Sequence, residues 1–374
     1  MYIALAASLA SCAGAEPVVQ PDREIGRYSS EAADFRLVQL LADIDHPWAL
    51  AFLPDGDMLI SERSGTLWLF DGRVLVPVSG SPGVAQVGQG GLLDIAIHPD
   101  FEMNNLVYLS YADAYDGGYG TVVARAQLSG SSLTGMEEVF RTGKASSGGH
   151  HFGSRLAFDN DGRLYVTLGE RGSRDRAQDL SDQAGSILRL NDDGSIPGDN
   201  PFVGVAGAAP EIFTYGHRNA QGLALNPTSG EIWAHEHGPQ GGDEINIIAS
   251  GSNYGWPIIT YGAEYGSGDP IGDGTSAPGM EQPVTYWIPS IAPSGMAFYT
   301  GSAFPNWNGD LFVGALAGQH LRRVELDGDR VVSEEVLLRG LVGRVRDVRV
   351  GPDGFIYIVT DEDNGGLYRL EPLE

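Results

Sequence analysis

His150 and His151, Glu170, the run His217-Arg218-Asn219, the triplet His235-Glu236-His237, the pair Asp243-Glu244, and Arg344 and Arg346 are side chains whose types can do chemistry. Imidazole titrates near neutral pH and suits a general base, while guanidinium groups are permanent cations shaped to grip carboxylates. Brought together with Gln89, Arg155, Arg171 and Asp361, they would form what a site for an anionic ligand or cofactor needs: an acid, a base and several fixed cations. The triplet His235-Glu236-His237 also invites a zinc reading. Its residues alternate across a strand end, however, which sends the two histidines to one face and the glutamate to the other without a third ligand at metal spacing.

The elements that must position these residues are six hairpins, each an apolar strand, a Pro/Asp/Gly/Asn turn and a second apolar strand. They run Trp48 to Ser61, Leu92 to Ser110, Leu156 to Leu168, Leu223 to Ala234, Met296 to Gly314 and Val348 to Thr360. Turn residues between short β-rich runs specify β-hairpins rather than helical pairs. A recurrence of roughly sixty residues gives room for a four-stranded blade and its loops. The expected fold is therefore all-β, a six-bladed propeller of four-stranded antiparallel blades. Phe35 to Leu41 would close the ring by joining the blade that holds Gly366 to Leu370. In an antiparallel hairpin the residue leading into the first strand and the residue leaving the second lie at the same end, so six hairpins in one orientation aim all the chemical residues at one mouth.

The first residues carry separate information. Residues 1–11 read as a signal segment, 12–33 as a polar tether and 34–374 as the propeller. Leu9-Ala10-Ser11-Cys12 resembles the lipobox of bacterial lipoproteins, in which the cysteine is acylated after cleavage; an ordinary secretory signal with a stray cysteine is the other reading. Either way the mature chain is expected to be exported, to the periplasm, touching a membrane only through a lipid on Cys12. A net charge of −26 argues against nucleic acid or anionic lipid as partner. Lys144 is the sole lysine, so the cations of any site are arginines.

Six segments then carry a resemblance: GQGGLLDIAIHPDF from Gly88, HHFGSRLAFDNDGRLYVTLGERG from His150, YGHRNAQGLALNP from Tyr215, EHGPQGGDEINII from Glu236, NYGWP from Asn253 and GRVRDVRVGPDGFIYIVTD from Gly343. As a set they resemble the soluble quinoprotein sugar dehydrogenases, and within them the aldose sugar dehydrogenases. The resemblance implies a six-bladed propeller that binds pyrroloquinoline quinone (PQQ) and Ca2+ and oxidises the C1 hydroxyl of aldoses to lactones, passing electrons to an acceptor the motifs do not identify. It leans toward a monomer.

The resemblance also implies residue roles. His151 matches the catalytic base, Glu170 its carboxylate partner, and Arg218 and Asn219 the pair contacting the quinone. Gln89 matches another cofactor contact. Arg344 and Arg346, with Val345 between them, match the segment gripping cofactor carboxylates; Tyr265 and Ala315-Leu316-Ala317 match further lining positions. The soluble glucose dehydrogenases have a lysine near Ala317, which this chain lacks. Calcium would sit on the carbonyls of Gly238 and Pro239, and a second calcium on Glu244 and the Tyr254 backbone, with Asp243 supporting the first site. Two other classes are weighed against this one. A calcium-dependent lactonase propeller would need side-chain carboxylates or amides around its metal rather than a ring of arginines. A propeller serving only as an extracellular binding module would lose the His151, Glu170 and Arg218 constellation.

Overall fold

A computed structural model describes residues 22–373. The signal segment and Cys12 lie outside the described residues. Five four-stranded antiparallel sheets and one five-stranded sheet form six blades. In chain order, the first strands of the blades are Pro47–Phe52, Leu92–Ile97, Leu156–Phe158, Ala220–Leu225, Pro293–Phe298 and Val345–Val350. Each touches the first strand of the next blade, and the sixth returns to the first, so the ring is closed. The six hairpins expected from the turn chemistry are the two inner strands of each blade.

Closure comes from both ends of the chain. Asp34–Ile44 pairs with Gly365–Pro372, aligning Leu37 with Leu370 and Phe35 with Pro372, which ties the two ends of the propeller into the sixth blade. Arg23–Ser29, read from sequence as part of a polar tether, instead adds a fifth strand to that blade. Its polar composition hid it, but Ile25 and Tyr28 pack on the core beside Phe35, and Ser30 caps the turn by accepting the N–H groups of Ala32 and Ala33.

Two devices fix the inner ends of the blades. Hydroxyls stitch the first three blades each to the next: Ser61 Oγ donates to Leu93 O (2.6 Å), Ser110 Oγ to Ser154 O (2.6 Å) and Thr167 Oγ1 to Ala220 O (3.0 Å). The other device is a β-bulge near the mouth end of the first strand in blades 1, 2, 4, 5 and 6, where the register skips between Pro47 and Ala49, Leu92 and Ile95, Ala220 and Gly222, Pro293 and Met296, and Val345 and Asp347. A bulged residue is unpaired and can be aimed away from the face its register would give it.

Below the mouth the ring axis is filled by charge. The Asp94 carboxylate meets Arg155 (3.1 Å) and Arg349 (3.1 Å), and Asp347 meets the same two arginines at 3.0 and 3.2 Å. Both carboxylates are fully buried, and the arrangement separates the mouth cavity from a shallower apolar cleft at the other end of the ring.

Candidate functional site

A cavity of about 250 Å3 opens where the inner strands converge. Its lining includes four residues at the mouth-end bulges, Trp48, Leu93, Gln221 and Arg346. Its walls include the residues leaving the second strands: Arg63 one past Glu62, His237 one past Glu236, Leu316 one past Ala315 and Asp361 one past Thr360. Gln89, Asn219 and Arg344 complete the polar lining.

The expected base and its partner are joined. His151 Nδ1 lies 2.7 Å from Glu170 Oε1, and the His151 N–H donates to the cavity residue Gln89 at 2.8 Å. The bond to Glu170 leaves Nε2 as the nitrogen available to a ligand. Burial pulls the imidazole below its ordinary pKa, with the Glu170 bond opposing, so the ring is a neutral base at pH 7. Burial works to raise the Glu170 carboxyl, but the His151 bond and charge, with Arg218 behind them, outweigh it and hold it below its ordinary value.

The His151 backbone is held in the left-handed region at φ 54°, which disfavours a branched or bulky residue. Gly169 permits it, since a Cβ there would stand 2.1 Å from the His151 carbonyl oxygen. Arg171, next to Glu170, donates to the carbonyls of His150 and Gly148 and lies over the Phe152 ring at 3.5 Å. Glu170 and Arg171 thus hold the same loop from two sides, while His150 itself is exposed.

Arg218 is pinned at its backbone, where its N–H donates to Glu236 Oε2 at 2.5 Å. Glu236 also accepts from His217 Nδ1 at 2.9 Å, and His217 Nε2 meets Thr214 Oγ1 at 2.9 Å. Asn219 Oδ1 accepts from the Gly153 N–H (3.2 Å), so the Arg218-Asn219 pair is joined to the loop that carries His151. Arg346 donates to Asp361 at 2.9 Å and to Gln221 Oε1 at 3.1 Å, and Arg344 stands 3.4 Å from Asp361. Burial would raise the Asp361 carboxyl, but Arg346, Arg344 and Arg63 bring it down to about 2.

The residues of His235-Glu236-His237 part company as alternation requires. His235 is buried in its blade at a position equivalent to the stitching hydroxyls; Gly222 makes room, since a Cβ there would lie 2.1 Å from the ring. His237 faces the cavity and Glu236 turns to His217. The only group of three potential metal-binding side chains among the described residues is Asp45, His46 and Asp363, away from this triplet and largely exposed.

For calcium, the donor chemistry fits in part. Glu236 and Glu244 face each other across paired strands and border a pocket of about 10 Å3, room for a single small sphere, together with Gly238, Gly242, Tyr254 and Thr260. Burial, and then the Glu236 charge, push the Glu244 carboxyl up to about 8; a hard cation accepting oxygen ligands would remove that penalty. Asp243 accepts from the N–H groups of Gly238 (2.9 Å), Ile291 (2.7 Å) and Ala292 (3.0 Å), which fixes the Gly238 turn. The Gly238 carbonyl accepts from Arg218 at 2.8 Å, so an ion there shares that oxygen with, or displaces, the guanidinium. Pro239 is buried and close to Gly262.

Six expected cofactor contacts stand outside the lining: His151, tied to it through Gln89, Arg218, which borders the neighbouring pocket of about 10 Å3, and four more. Ala315 is in the core, because the cavity-facing slot is the next residue, Leu316. Ala317 is exposed and outside the cavity. Val345 points into the core, because Arg344 and Arg346 on either side of it take the mouth. Tyr265 is 64% exposed on the 261–282 loop, its hydroxyl 3.4 Å from Arg218, at the rim rather than in the lining. Missing from the sequence reading are Trp48, Arg63, Leu93, Phe152 and Gln221. The strand-exit offset that picked out His237 and Asp361 also picks out Arg63.

Comparison with known proteins shows the family to which this chain belongs. Residues 44–369 match the family model for glucose/sorbosone dehydrogenases. The chain is 47% identical over 343 residues to the aldose sugar dehydrogenase YliI of Escherichia coli, covering 90% of this chain and 92% of that protein. It is 28% identical over 429 residues to quinoprotein glucose dehydrogenase B of Acinetobacter calcoaceticus, covering 90% and 87%. The PQQ-bound aldose sugar dehydrogenase of Streptomyces coelicolor superposes with a TM-score of 0.73 at 30% identity, covering 95% of this chain and 99% of that one.

Proposed function

Because the chain belongs to the glucose/sorbosone dehydrogenase family, we propose that it is a PQQ-dependent aldose sugar dehydrogenase oxidising the C1 hydroxyl of aldoses to the lactone. The observation that carries this reading is one cavity walled by Arg344, Arg346, Gln89 and Asn219, with the His151–Glu170 pair joined to its wall through Gln89 and Arg218 next to Asn219. A bound quinone would supply the hydride acceptor for the sugar C1, and calcium would supply Lewis acidity beside it. The remaining roles fall to the chain's own groups. His151 Nε2 takes the proton of the C1 hydroxyl, and Glu170 orients the ring and stabilises the imidazolium. Arg218, held in place through Glu236, would supply a fixed positive charge to a bound quinone. Arg344 and Arg346 grip ligand carboxylates, with Gln89 and Asn219 setting orientation. Gly238 and Pro239 would hold one calcium through their carbonyls, and Glu244 beside Tyr254 a second.

On the same reading the protein is exported to the periplasm, is anchored through Cys12 where that residue is acylated, and works as a monomer that hands electrons to a separate acceptor. The lipobox-like Leu9–Cys12 run supports the anchor, and among the described residues no helix is long and apolar enough to cross a membrane.

Reconstitution tests the proposal. Apoprotein supplied with calcium and PQQ should reduce an artificial electron acceptor when glucose or another aldose is added, and omission of either component should abolish the signal. Absence of dye reduction with every aldose, together with hydrolysis of a lactone, would assign the site to a hydrolase.

A second expectation concerns pH. The negative Glu170 favours the protonated ring, so Glu170→Gln should lower the His151 pKa further. A base acts in its neutral form, so the acid limb of kcat/KM should move to lower pH while the plateau falls on the order of 10-fold or more. An acid limb that stays where the wild type has it would separate Glu170 from the titrating base.

A further inference from the structure

Arg63 stands in the cavity wall with no role in the assignments above. It leaves the second strand of the first blade, Met58–Glu62, at the offset occupied by His237, Leu316 and Asp361 in other blades, all of which face the cavity. Its backbone is fixed on both sides: the Arg63 N–H donates to His46 O (3.2 Å), and the Leu92 N–H donates to Arg63 O (3.2 Å). The side chain reaches the cavity past Gly91, where a Cβ would lie 2.6 Å from Arg63 Cγ and 1.9 Å from its carbonyl oxygen. Any other residue at position 91 would block the arginine stem. Gly91 is required first by the Arg63 backbone carbonyl and then by the arginine stem, which together fix where the side chain starts.

The guanidinium lacks the carboxylate partner that the other two arginines of this wall have. Arg344 and Arg346 share Asp361, and Arg218 has the His237 and Gly238 carbonyls. Among the described residues no carboxylate lies within ion-pair distance of Arg63, and its Nε is buried with no hydrogen-bond acceptor. A buried donor left without an acceptor is costly, so such a group is accounted for by an acceptor that arrives with a ligand. Charge in the lining points the same way: Arg63, Arg344 and Arg346 face the single carboxylate of Asp361. That surplus asks for a ligand with more than one negative group.

We propose that Arg63 is a third guanidinium for the carboxylates of the planar quinone cofactor, supplied from the first blade, opposite in the sequence to the pair at Arg344 and Arg346. This rests on the quinone reading of the site. It also accounts for a departure noted in the sequence: the position around Ala317 contributes no cation and Ala317 lies outside the cavity, so positive charge enters the wall from another blade. Arg63 acts on affinity for the cofactor and stands apart from the His151–Glu170 pair that moves the proton.

The experiment is equilibrium binding of PQQ to calcium-supplemented apoprotein, followed by isothermal titration or by quenching of tryptophan fluorescence, since Trp48 lines the same cavity. Arg63→Ala should weaken binding about 10- to 100-fold, the span of one lost charged hydrogen bond, and flatten the dependence of affinity on salt. Arg63→Lys, keeping the charge without the fork, should fall between the alanine variant and wild type. Arg73→Ala, an exposed turn residue, should bind as wild type does. Matching thermal midpoints of the apoproteins would show that the variants fold. An Arg63→Ala protein that binds PQQ as tightly as wild type, with an unchanged salt dependence, overturns the proposal. So does an Arg63→Lys protein as weak as Arg63→Ala with a lowered thermal midpoint, because the side chain would then serve the fold. Failure of the wild type to take up PQQ at all is a different result: it removes the quinone reading itself, and this inference with it.

Discussion

Replacing His151 by alanine is expected to lower kcat for aldose oxidation about 10²- to 10⁴-fold, the usual worth of a positioned general base. Uptake of PQQ should stay close to wild type, because the cationic grip comes from residues that do not depend on the imidazole. The only hydrogen bond from the His151 backbone to the cavity lining is its N–H to Gln89, and alanine keeps that N–H. The φ of 54° at this position is tolerable for alanine only at a small cost, so folding should survive. Single-turnover absorbance of the bound quinone separates the two effects: the spectrum should show a loaded site that is no longer reduced when glucose is added. A variant that loses the cofactor but reduces it normally once saturated would make His151 a binding residue, and the proton would need another acceptor.

Asp347→Ala is expected to lower the free energy of unfolding by about 3–5 kcal/mol, the cost of removing one partner from a buried ion pair. Asp347 is 0% exposed, ion-pairs with Arg155 at 3.0 Å and Arg349 at 3.2 Å, and accepts the Leu50 N–H at 3.0 Å. Its loss leaves two guanidiniums with Asp94 alone. Arg155 continues the network upward, donating to the carbonyls of Gln221 (2.7 Å) and Arg346 (3.0 Å) and stacking at 4.1 Å on Trp48. One hub therefore joins residues of blades 1, 2, 3, 4 and 6 directly beneath the cavity floor. Arg330→Ala offers the contrast, because its pair with Asp327 is 71% and 73% exposed and should cost no more than about 0.5 kcal/mol. Urea titrations of the two variants, side by side, check the difference. Equal midpoints would show that the axial network contributes no more than a surface pair.

The architecture was legible because hairpin chemistry is local. Turn residues between apolar runs, repeated six times, require no knowledge of distant contacts, and the closing pair of Phe35 to Leu41 with Gly366 to Leu370 follows once a ring is accepted. The extra strand at Arg23–Ser29 was not legible, since a strand on the outer edge of a blade buries only Ile25 and Tyr28 and keeps a polar composition. At the site, residues leaving the second strands could be found by counting from the turn, and His237 and Asp361 stand in the cavity wall where that count puts them. The cavity residues Trp48, Leu93 and Gln221 escaped it for a physical reason. Alternation assigns each a face by parity, and a bulge of one residue breaks parity without any sign in composition. Ala315 and Val345 were expected in the lining from the family resemblance, as neighbours of Leu316, Arg344 and Arg346, and alternation turns their own side chains into the core.

Those bulges decide how a molecule of this shape can vary. Trp48, Leu93, Gln221 and Arg346 belong to no ladder pair, so exchanging one of them alters what the cavity recognises while leaving the strand-to-strand alignment behind it untouched. Deleting one is another matter: the hairpin would become regular, and every side chain on the mouthward side of the gap would swap between cavity and interior. Ligand preference in this ring is thus free to drift through single replacements, and is closed to changes of length.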